Sequence, residues 1–246
     1  MTICSRIDLV KNRRACVLIS GGLDSCVLLA HLAEQGRELT PLYVQAGLVW
    51  ERVELIWLRR FLARLNHPGL KPLRRLSLPV EDIYQSHWST TGKAVPGAQT
   101  EDSAVYLPGR NLLLLSKAAI YCSLNRIGVI ALGLLKGNPF PDATPAFLHD
   151  MAGLAGDALS HPLEIVTPFR SLSKTEVIHL GKALPLELTF SCIRPVGEEH
   201  CGGCNKCAER RRAFAKAGVK DRTGYHRRTG LDIWPESEGA DRADSN

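Results

Sequence analysis

The chain contains no apolar run of membrane length, and its opening residues, Met1-Thr2-Ile3-Cys4-Ser5-Arg6, hold no signal-peptide core. Both features point away from a membrane or an export route, so the expected setting is a reducing cytoplasm. No Gly-Lys-Ser/Thr follows the Gly21-Gly22 pair, which excludes a Walker phosphate loop. No stretch reads as an added RNA-binding domain. Of the eight cysteines, Cys4, Cys16, Cys26 and Cys122 lack ligand-like spacing, and Cys16 and Cys26 read as small buried hydrophobes. A disulfide scaffold suits a short secreted chain, not one of 246 residues. That length fits one α/β domain, alone or with a small appendage, and 45% hydrophobic residues suffice for a real core. The formal charge of +6 fits a nucleic-acid partner, an anionic pocket or a solvated face, of which the last is the plainest reading.

What is present begins with a strand–turn–helix. Residues 15–19 form a short apolar run that reads as a buried parallel strand, and residues 26–35 read as a helix with Gly36 past its end. Ile19-Ser20-Gly21-Gly22-Leu23-Asp24-Ser25-Cys26 joins them. A glycine turn running into a helix start gathers free N–H groups at the positive end of a helix dipole, which suits a phosphate. Ser20 and Ser25 add hydroxyl donors, and Asp24 adds a carboxylate where Mg²⁺ can bridge to phosphate oxygens. An ordinary βα turn with a serine N-cap is the plain alternative.

Further strands are expected at residues 39–44, 73–78, 128–133 and 163–167, separated by helices, a pattern that implies right-handed crossovers and a parallel sheet. Helix 50–66 carries an apolar stripe of Trp50, Val53, Trp57, Phe61 and Leu65, read as core. Periodicity vanishes over residues 81–107, a lid, a binding loop or a hidden short helix, in which His87 and Trp88 either touch substrate or pack. Arg110 and Asn111 open the apolar helix 112–124, placed to hold an anion or a base edge; the helix is buried in the domain or at a subunit contact, with the former favoured. Asn138 and Asp142 stand on a proline-rich loop beyond a strand end, and Thr144-Pro145 starts a helix toward Leu159. Ser173-Lys174-Thr175-Glu176 is a capping box opening a helix to about Ala183, with Lys174 in a first turn where a cation calls for a nearby anion.

Cys192-x8-Cys201-x2-Cys204-x2-Cys207 brings four thiols within sixteen positions. This spacing favours a closed, structural Zn²⁺ site, with an iron–sulfur cluster or catalytic thiols as rivals. Helix 207–217 follows, its arginines read as phosphate ligands or, more plainly, as a solvated face.

The string 20–25 resembles the PP-loop of the ATP pyrophosphatase superfamily, which cleaves ATP to AMP and pyrophosphate. Leu107-Pro108-Gly109-Arg110-Asn111, Thr167-Pro168, the 173–176 box, Ser191-Cys192 and His200-Cys201-Gly202-Gly203-Cys204-Asn205-Lys206-Cys207, taken in order, resemble the 7-cyano-7-deazaguanine synthase family over residues 17–221. That resemblance implies an α/β fold with an open, doubly wound parallel sheet (adenine nucleotide alpha hydrolase-like) and a small C-terminal zinc-binding helical region. The chain is expected to divide into a polar, basic lead-in (1–14), an ATP-binding domain (15–190), a four-cysteine region (191–221) and a tail (222–246) whose acidic, small-residue end reads as disordered. The resemblance implies a Mg²⁺-dependent, zinc-containing homodimeric ligase that activates 7-carboxy-7-deazaguanine with ATP and converts it with ammonia to the nitrile. The ATP contacts it implies are Ile19, Ser20, Gly21, Gly22, Leu23, Asp24, Ser25, Cys26 and Lys174. Asp24, Lys174 and Arg110 act in catalysis, and Arg110, Asn111, Asn138 and Asp142 hold the acid substrate. No stable nucleic-acid partner and no membrane are implied. Two segments depart from the family pattern: Tyr43-Val44-Gln45 stands for Tyr-Gly-Gln, and the loop 138–144 keeps Pro141-Asp142 but has Ala143-Thr144 for Cys-Arg. A tRNA-modifying enzyme, a paralogue acting on another acid and a non-catalytic nucleotide-binding protein are the competing readings.

Overall fold

A continuous apolar run, Ala15-Cys16-Val17-Leu18, builds the central strand of the sheet. In β1 (Arg14–Leu18), Val17 points into one core and Cys16 into the other. The computed structural model describes residues 14–226; the polar lead-in at 1–13 with Cys4, and the acidic tail from 236, lie outside the described residues. Arg14, placed in the lead-in above, already belongs to β1. Four strands join it: β2 (Glu38–Gln45), β3 (Arg74–Ser77), β4 (Val129–Ala131) and β5 (Glu164–Val166). All pair in parallel in the order β3-β2-β1-β4-β5, with Cys16 opposite Thr40 on one side and Ile130 on the other. The chain reverses its direction of travel between β1 and β4, and such a switch point opens a crevice beyond the strand ends.

Helices cover both faces. Helix α1 (Leu23–Glu34) and α2 (Glu51–Leu65) pack Leu28, Leu29, Leu58 and Phe61 on Val17, Tyr43 and Ala131. The expected stripe of α2 is thus shifted: Trp50, Val53 and Phe61 are buried with Leu58, while Trp57 and Leu65 are half-buried at its edge. Residues 81–107 contain α3 (Glu81–Tyr84), α4 (Trp88–Thr91) and a 3₁₀ turn at Asp102–Val105, each a single turn and too short to show a period.

On the other face, α5 (Arg110–Leu124) and α6 (Pro145–Leu159) cover Ile130, Leu42 and Cys16 with Leu115, Ala118, Leu148 and Met151. Burial of α5 within the domain is incomplete, because Leu112, Ile120 and Leu124 stand exposed, Leu124 at 80%. Helix α7 (Lys174–Leu180) starts with both hydrogen bonds of the capping box, and α8 (Asn205–Ala217) packs beside it on the α1 face. Two of the three arginines of α8 are not on a solvated face: Arg212 is exposed, while Arg210 and Arg211 are 3% and 5% exposed. Their i, i+3, i+4 neighbours Cys207, Ala213 and Phe214 are the buried side of the helix, and these two arginines follow them inward. No helix among the described residues is long and apolar enough to cross a membrane.

Candidate functional site

The turn after β1 is held by its own serines. Ser20 Oγ accepts from the Gly22 N–H at 3.2 Å, Ser25 Oγ accepts from the Ser20 N–H at 3.3 Å, and Ser25 Oγ donates to the Gly22 carbonyl at 3.1 Å. Gly21 sits at φ +80, and a Cβ there would lie 3.2 Å from Glu54 Cγ and 3.3 Å from the Glu54 carbonyl oxygen. Glycine is therefore required both by the left-handed backbone and by the close approach of α2. Gly22, not a serine, is the N-cap of α1 and makes no side-chain cap. Leu23, Asp24 and Ser25 form the first turn, whose N–H groups have no intrahelical partner. The two ends of the 19–26 run are already used: the Ile19 N–H donates to Leu42 and the Cys26 N–H to Gly22, and both side chains are buried. Neither offers a donor to a phosphate.

This turn opens on two cavities, one of about 530 Å³ and one of about 170 Å³. Ser20, Gly22, Asp24, Glu54, Arg110 and Gly133 line both, so they form the neck where the two meet. Lys174 reaches across from α7, with Nζ 2.6 Å from Asp24 Oδ2 and 3.3 Å from Glu209 Oε1. Lys206 continues the chain of charges, 2.6 Å from Glu209 Oε2 and 3.9 Å from Asp102 Oδ1. Burial alone would push the Lys174 ammonium down, but Asp24 and Glu209 outweigh it and hold the group charged. Burial would raise the Glu209 carboxyl, yet Lys174 and Lys206 hold it at about 2. Asp24 Oδ1 and Arg110 Nε are buried without a hydrogen-bond partner. A carboxylate oxygen left unpaired beside a phosphate-type turn is the group Mg²⁺ ligation calls for, and an unpaired guanidinium donor suits an anion.

Two residues that sequence reasoning missed lie at or beside the neck. Glu51, 2% exposed, accepts from the Ala46, Gly47 and Leu48 N–H groups at 2.8–3.1 Å and so anchors the loop after β2. Glu54 accepts from the Tyr43 hydroxyl at 2.7 Å; burial pushes its carboxyl up to about 8, against the pull of Tyr43 and Arg110. The signal was available: Glu54 falls at i+4 from Trp50 and i+1 from Val53, on the buried side of α2.

The residues read as substrate contacts separate. Arg110 lines both cavities, Asn138 the larger and Asn111 the smaller, whereas Asp142 lines neither. Asp142 accepts from the Asn111 N–H at 2.8 Å, and its own carbonyl accepts from Asn111 Nδ2 at 3.1 Å, so it ties the start of α5 to the 138–144 loop. Its carboxylate serves a helix start rather than the crevice. Trp88 stacks on Trp50 with ring centroids 5.7 Å apart, both on the wall of the larger cavity; His87 caps α4 by accepting from the Ser89 N–H.

Cys192, Cys201, Cys204 and Cys207 are buried with their sulfurs all within 4.8 Å of one another. The Cys192–Cys204 and Cys201–Cys207 distances are 3.9 and 4.0 Å. A tetrahedron of thiolates around Zn²⁺ has edges of about 3.8 Å, so the four residues fit that ion with no position open for a reaction. Asn205 and Arg210 lock the cluster to its surroundings. Asn205 Nδ2 donates to the Thr100 carbonyl at 2.7 Å, and Arg210 donates to Thr189 Oγ1 and the Leu186 carbonyl at 2.7 and 2.8 Å. Residues 222–226 pack here too: Tyr225 lies under the Arg211 guanidinium and beside His200.

The family model described as queuosine biosynthesis protein QueC matches residues 14–218. The chain is 34% identical over 228 residues to a 7-cyano-7-deazaguanine synthase of Anaeromyxobacter dehalogenans, covering 87% of this chain and 96% of the relative. It is 31% identical over 226 residues to the synthase of Leptospira interrogans, covering 86% and 90% of the two chains. It is 32% identical over 229 residues to that of Methanothrix thermoacetophila, covering 86% and 98%.

Proposed function

The chain belongs to the queuosine biosynthesis protein QueC family, and from that membership we propose that it converts 7-carboxy-7-deazaguanine, ammonia and ATP to 7-cyano-7-deazaguanine, AMP and pyrophosphate. The observation that carries the reading is the neck: Asp24, Arg110 and the first turn of α1 stand where two cavities meet, and Lys174 reaches Asp24 from the larger one. A carboxylate is a poor electrophile at neutral pH. Its oxygen attacks the α-phosphorus of ATP, the O–P bond forms, and pyrophosphate leaves with the bridging electron pair. Ammonia then displaces AMP from the mixed anhydride to give the amide. A second ATP then adenylates the amide oxygen, again releasing pyrophosphate, and loss of AMP and of both N–H protons leaves the nitrile.

In this reading the N–H groups of Leu23, Asp24 and Ser25 and the hydroxyl of Ser20 hold phosphate oxygens, while the Ser25 hydroxyl, its proton given to the Gly22 carbonyl, shapes the turn. Lys174 neutralises charge developing toward pyrophosphate, and Arg110 directs its unpaired donor at phosphate or substrate carboxylate. Mg²⁺, held through Asp24 Oδ1, would screen the phosphates. Zn²⁺ on Cys192, Cys201, Cys204 and Cys207 is structural and fixes the start of α8, from which Lys206 and Glu209 reach the crevice. The exposed apolar residues Leu112, Ile120 and Leu124 of α5, with Leu154 of α6, form the contact of a homodimer. The test is a mass-spectrometric assay with 7-carboxy-7-deazaguanine, ammonium, ATP and Mg²⁺. AMP with the nitrile is expected. AMP with no nitrile or amide would move the reading to another acid, the paralogue to which the altered 138–144 loop points.

A further inference from the structure

Four carboxylates line the two cavities: Asp24, Glu54, Asp102 and Glu209. Three of them face a cation: Asp24 and Glu209 meet Lys174, Glu209 also meets Lys206, and Asp102 lies 3.9 Å from Lys206. Among the described residues Glu54 makes no ion pair. Its hydrogen bond from the Tyr43 hydroxyl falls on Oε2, and among the described residues no protein donor meets Oε1 of this neck-lining side chain. The contrast with Glu51, one turn earlier, is informative. Glu51 is equally buried, but both its oxygens take backbone N–H groups, which explains it as a loop anchor. Among the described residues no backbone or side-chain donor holds Glu54 Oε1 in the same way.

We propose that Glu54 is a catalytic base, its Oε1 accepting a proton from the substrate nitrogen in each of the two nitrogen-dependent steps. The inference rests on the nitrile-forming reading above. When ammonia attacks the acyl adenylate, the C–N bond forms and the C–O bond breaks with its electron pair leaving on AMP; the nitrogen, briefly cationic, passes a proton to Oε1. In the second step adenylation leaves a cationic C=NH2 group that gives one proton to solvent, and the remaining N–H proton of the neutral imidate goes to the same oxygen. The N–H electron pair becomes the third C–N bond, and the C–O pair again departs with AMP. The proton then passes to solvent before the next transfer.

Ion-paired carboxylates such as Glu209 are too weakly basic for this work, whereas a buried one held near the working pH is matched to it. The groups facing Glu54 are Tyr43 on β2, Arg110 on α5, Cys26 on α1 and Glu51 on its own helix. Tyr43 and Arg110 stabilise the anion, and Glu51 opposes it.

The experiment compares wild type, Glu54→Gln and Tyr43→Phe at saturating free ammonia, which removes the titration of ammonium itself. Hydroxylamine serves as a second nucleophile, because it is neutral at pH 7 and needs less help from a base. Glu54→Gln is expected to slow amide and nitrile formation by about 10²–10⁴-fold, to lose the rise of kcat with pH near 8, and to lose far less hydroxamate formation. Tyr43→Phe removes a bond that favours the anion, so the rise of kcat moves to higher pH. The same loss in amide and hydroxamate for Glu54→Gln, wild-type amide formation in that variant, or an unmoved profile for Tyr43→Phe would overturn the role of Glu54. If wild type itself makes no nitrile, the functional reading fails, and this role with it.

Discussion

Replacing Gly133 by alanine tests how tightly the phosphate turn is clamped. Gly133 follows β4 by two residues, and a Cβ there would stand 3.0 Å from the Ser25 nitrogen and 3.1 Å from both the Asp24 carbonyl carbon and Ser25 Cα. All three are backbone atoms of the first turn of α1, so no side chain can swing away. Either the turn moves or the β4 end does. Overpacking of this kind costs about 1–3 kcal/mol. If the free protein relaxes by shifting the turn, ATP must force it back, and the cost appears as a roughly 5- to 150-fold weaker ATP affinity. If it cannot relax, the cost appears in stability, as a Tm lower by about 2–12 °C for a chain of this size. The two losses share one strain energy, so their sum stays near 1–3 kcal/mol. Calorimetric titration with ATP, paired with thermal denaturation, measures both. Gly153→Ala is the control: within α6 its Cβ would meet nothing within 4 Å, and it should be neutral or stabilising by about 0.5–1 kcal/mol. Wild-type values of both quantities for Gly133→Ala would refute the clamp.

Lys174→Met leaves Asp24 and Glu209 facing each other without their shared cation. It should lower the rate of pyrophosphate release by about 10²–10³-fold, and a loss under tenfold would argue against Lys174 as a phosphate ligand. The folded-state value of Glu209, about 2, lies below its ordinary 4.5. Its stabilisation is therefore complete above pH 4.5 and is lost as pH falls toward 2, so Glu209→Gln should flatten the acid-denaturation curve in that window. A curve of unchanged steepness would contradict the pairing. Cys204→Ser should abolish stoichiometric zinc in elemental analysis of the purified protein. Iron with visible absorbance in wild type would instead favour a cluster. Leu124→Glu, on the exposed apolar stripe of α5, should convert a dimer to a monomer in light scattering with little change in Tm, and a wild-type monomer would remove the proposed contact.

Long-period features were legible in the sequence. The parallel sheet followed from β-α-β alternation, the start of α7 from Ser173-Lys174-Thr175-Glu176, and the sulfur cluster from two overlapping C-x2-C steps. Single-turn elements were not: α3 and α4 are four residues each, shorter than any window in which a period can be detected. Side-chain destinations were the hardest part. Asp142 stands on a loop beyond a strand end, a plausible ligand position, but it folds back onto the Asn111 N–H. Arg210 and Arg211 read as surface charge because three arginines in a row suggest solvent. The burial of Arg210 and Arg211 is made favourable by tertiary partners that the local sequence does not show, among them Thr189, Leu186 and Asp221 for Arg210 and Gly202 and Tyr225 for Arg211. Glu51 and Glu54 were overlooked for the opposite reason, because attention to an apolar stripe passes over the carboxylates on the same buried side of α2.

The most direct measurement follows the oxygen atoms. With both carboxylate oxygens of 7-carboxy-7-deazaguanine labelled as ¹⁸O, adenylation first of the acid and then of the amide delivers both labels to the phosphate of AMP. The account predicts ¹⁸O in AMP accompanying nitrile formation, and none in pyrophosphate. Nitrile formed with unlabelled AMP, or with the label in inorganic phosphate or water, would contradict attack on the α-phosphate at the 20–25 turn.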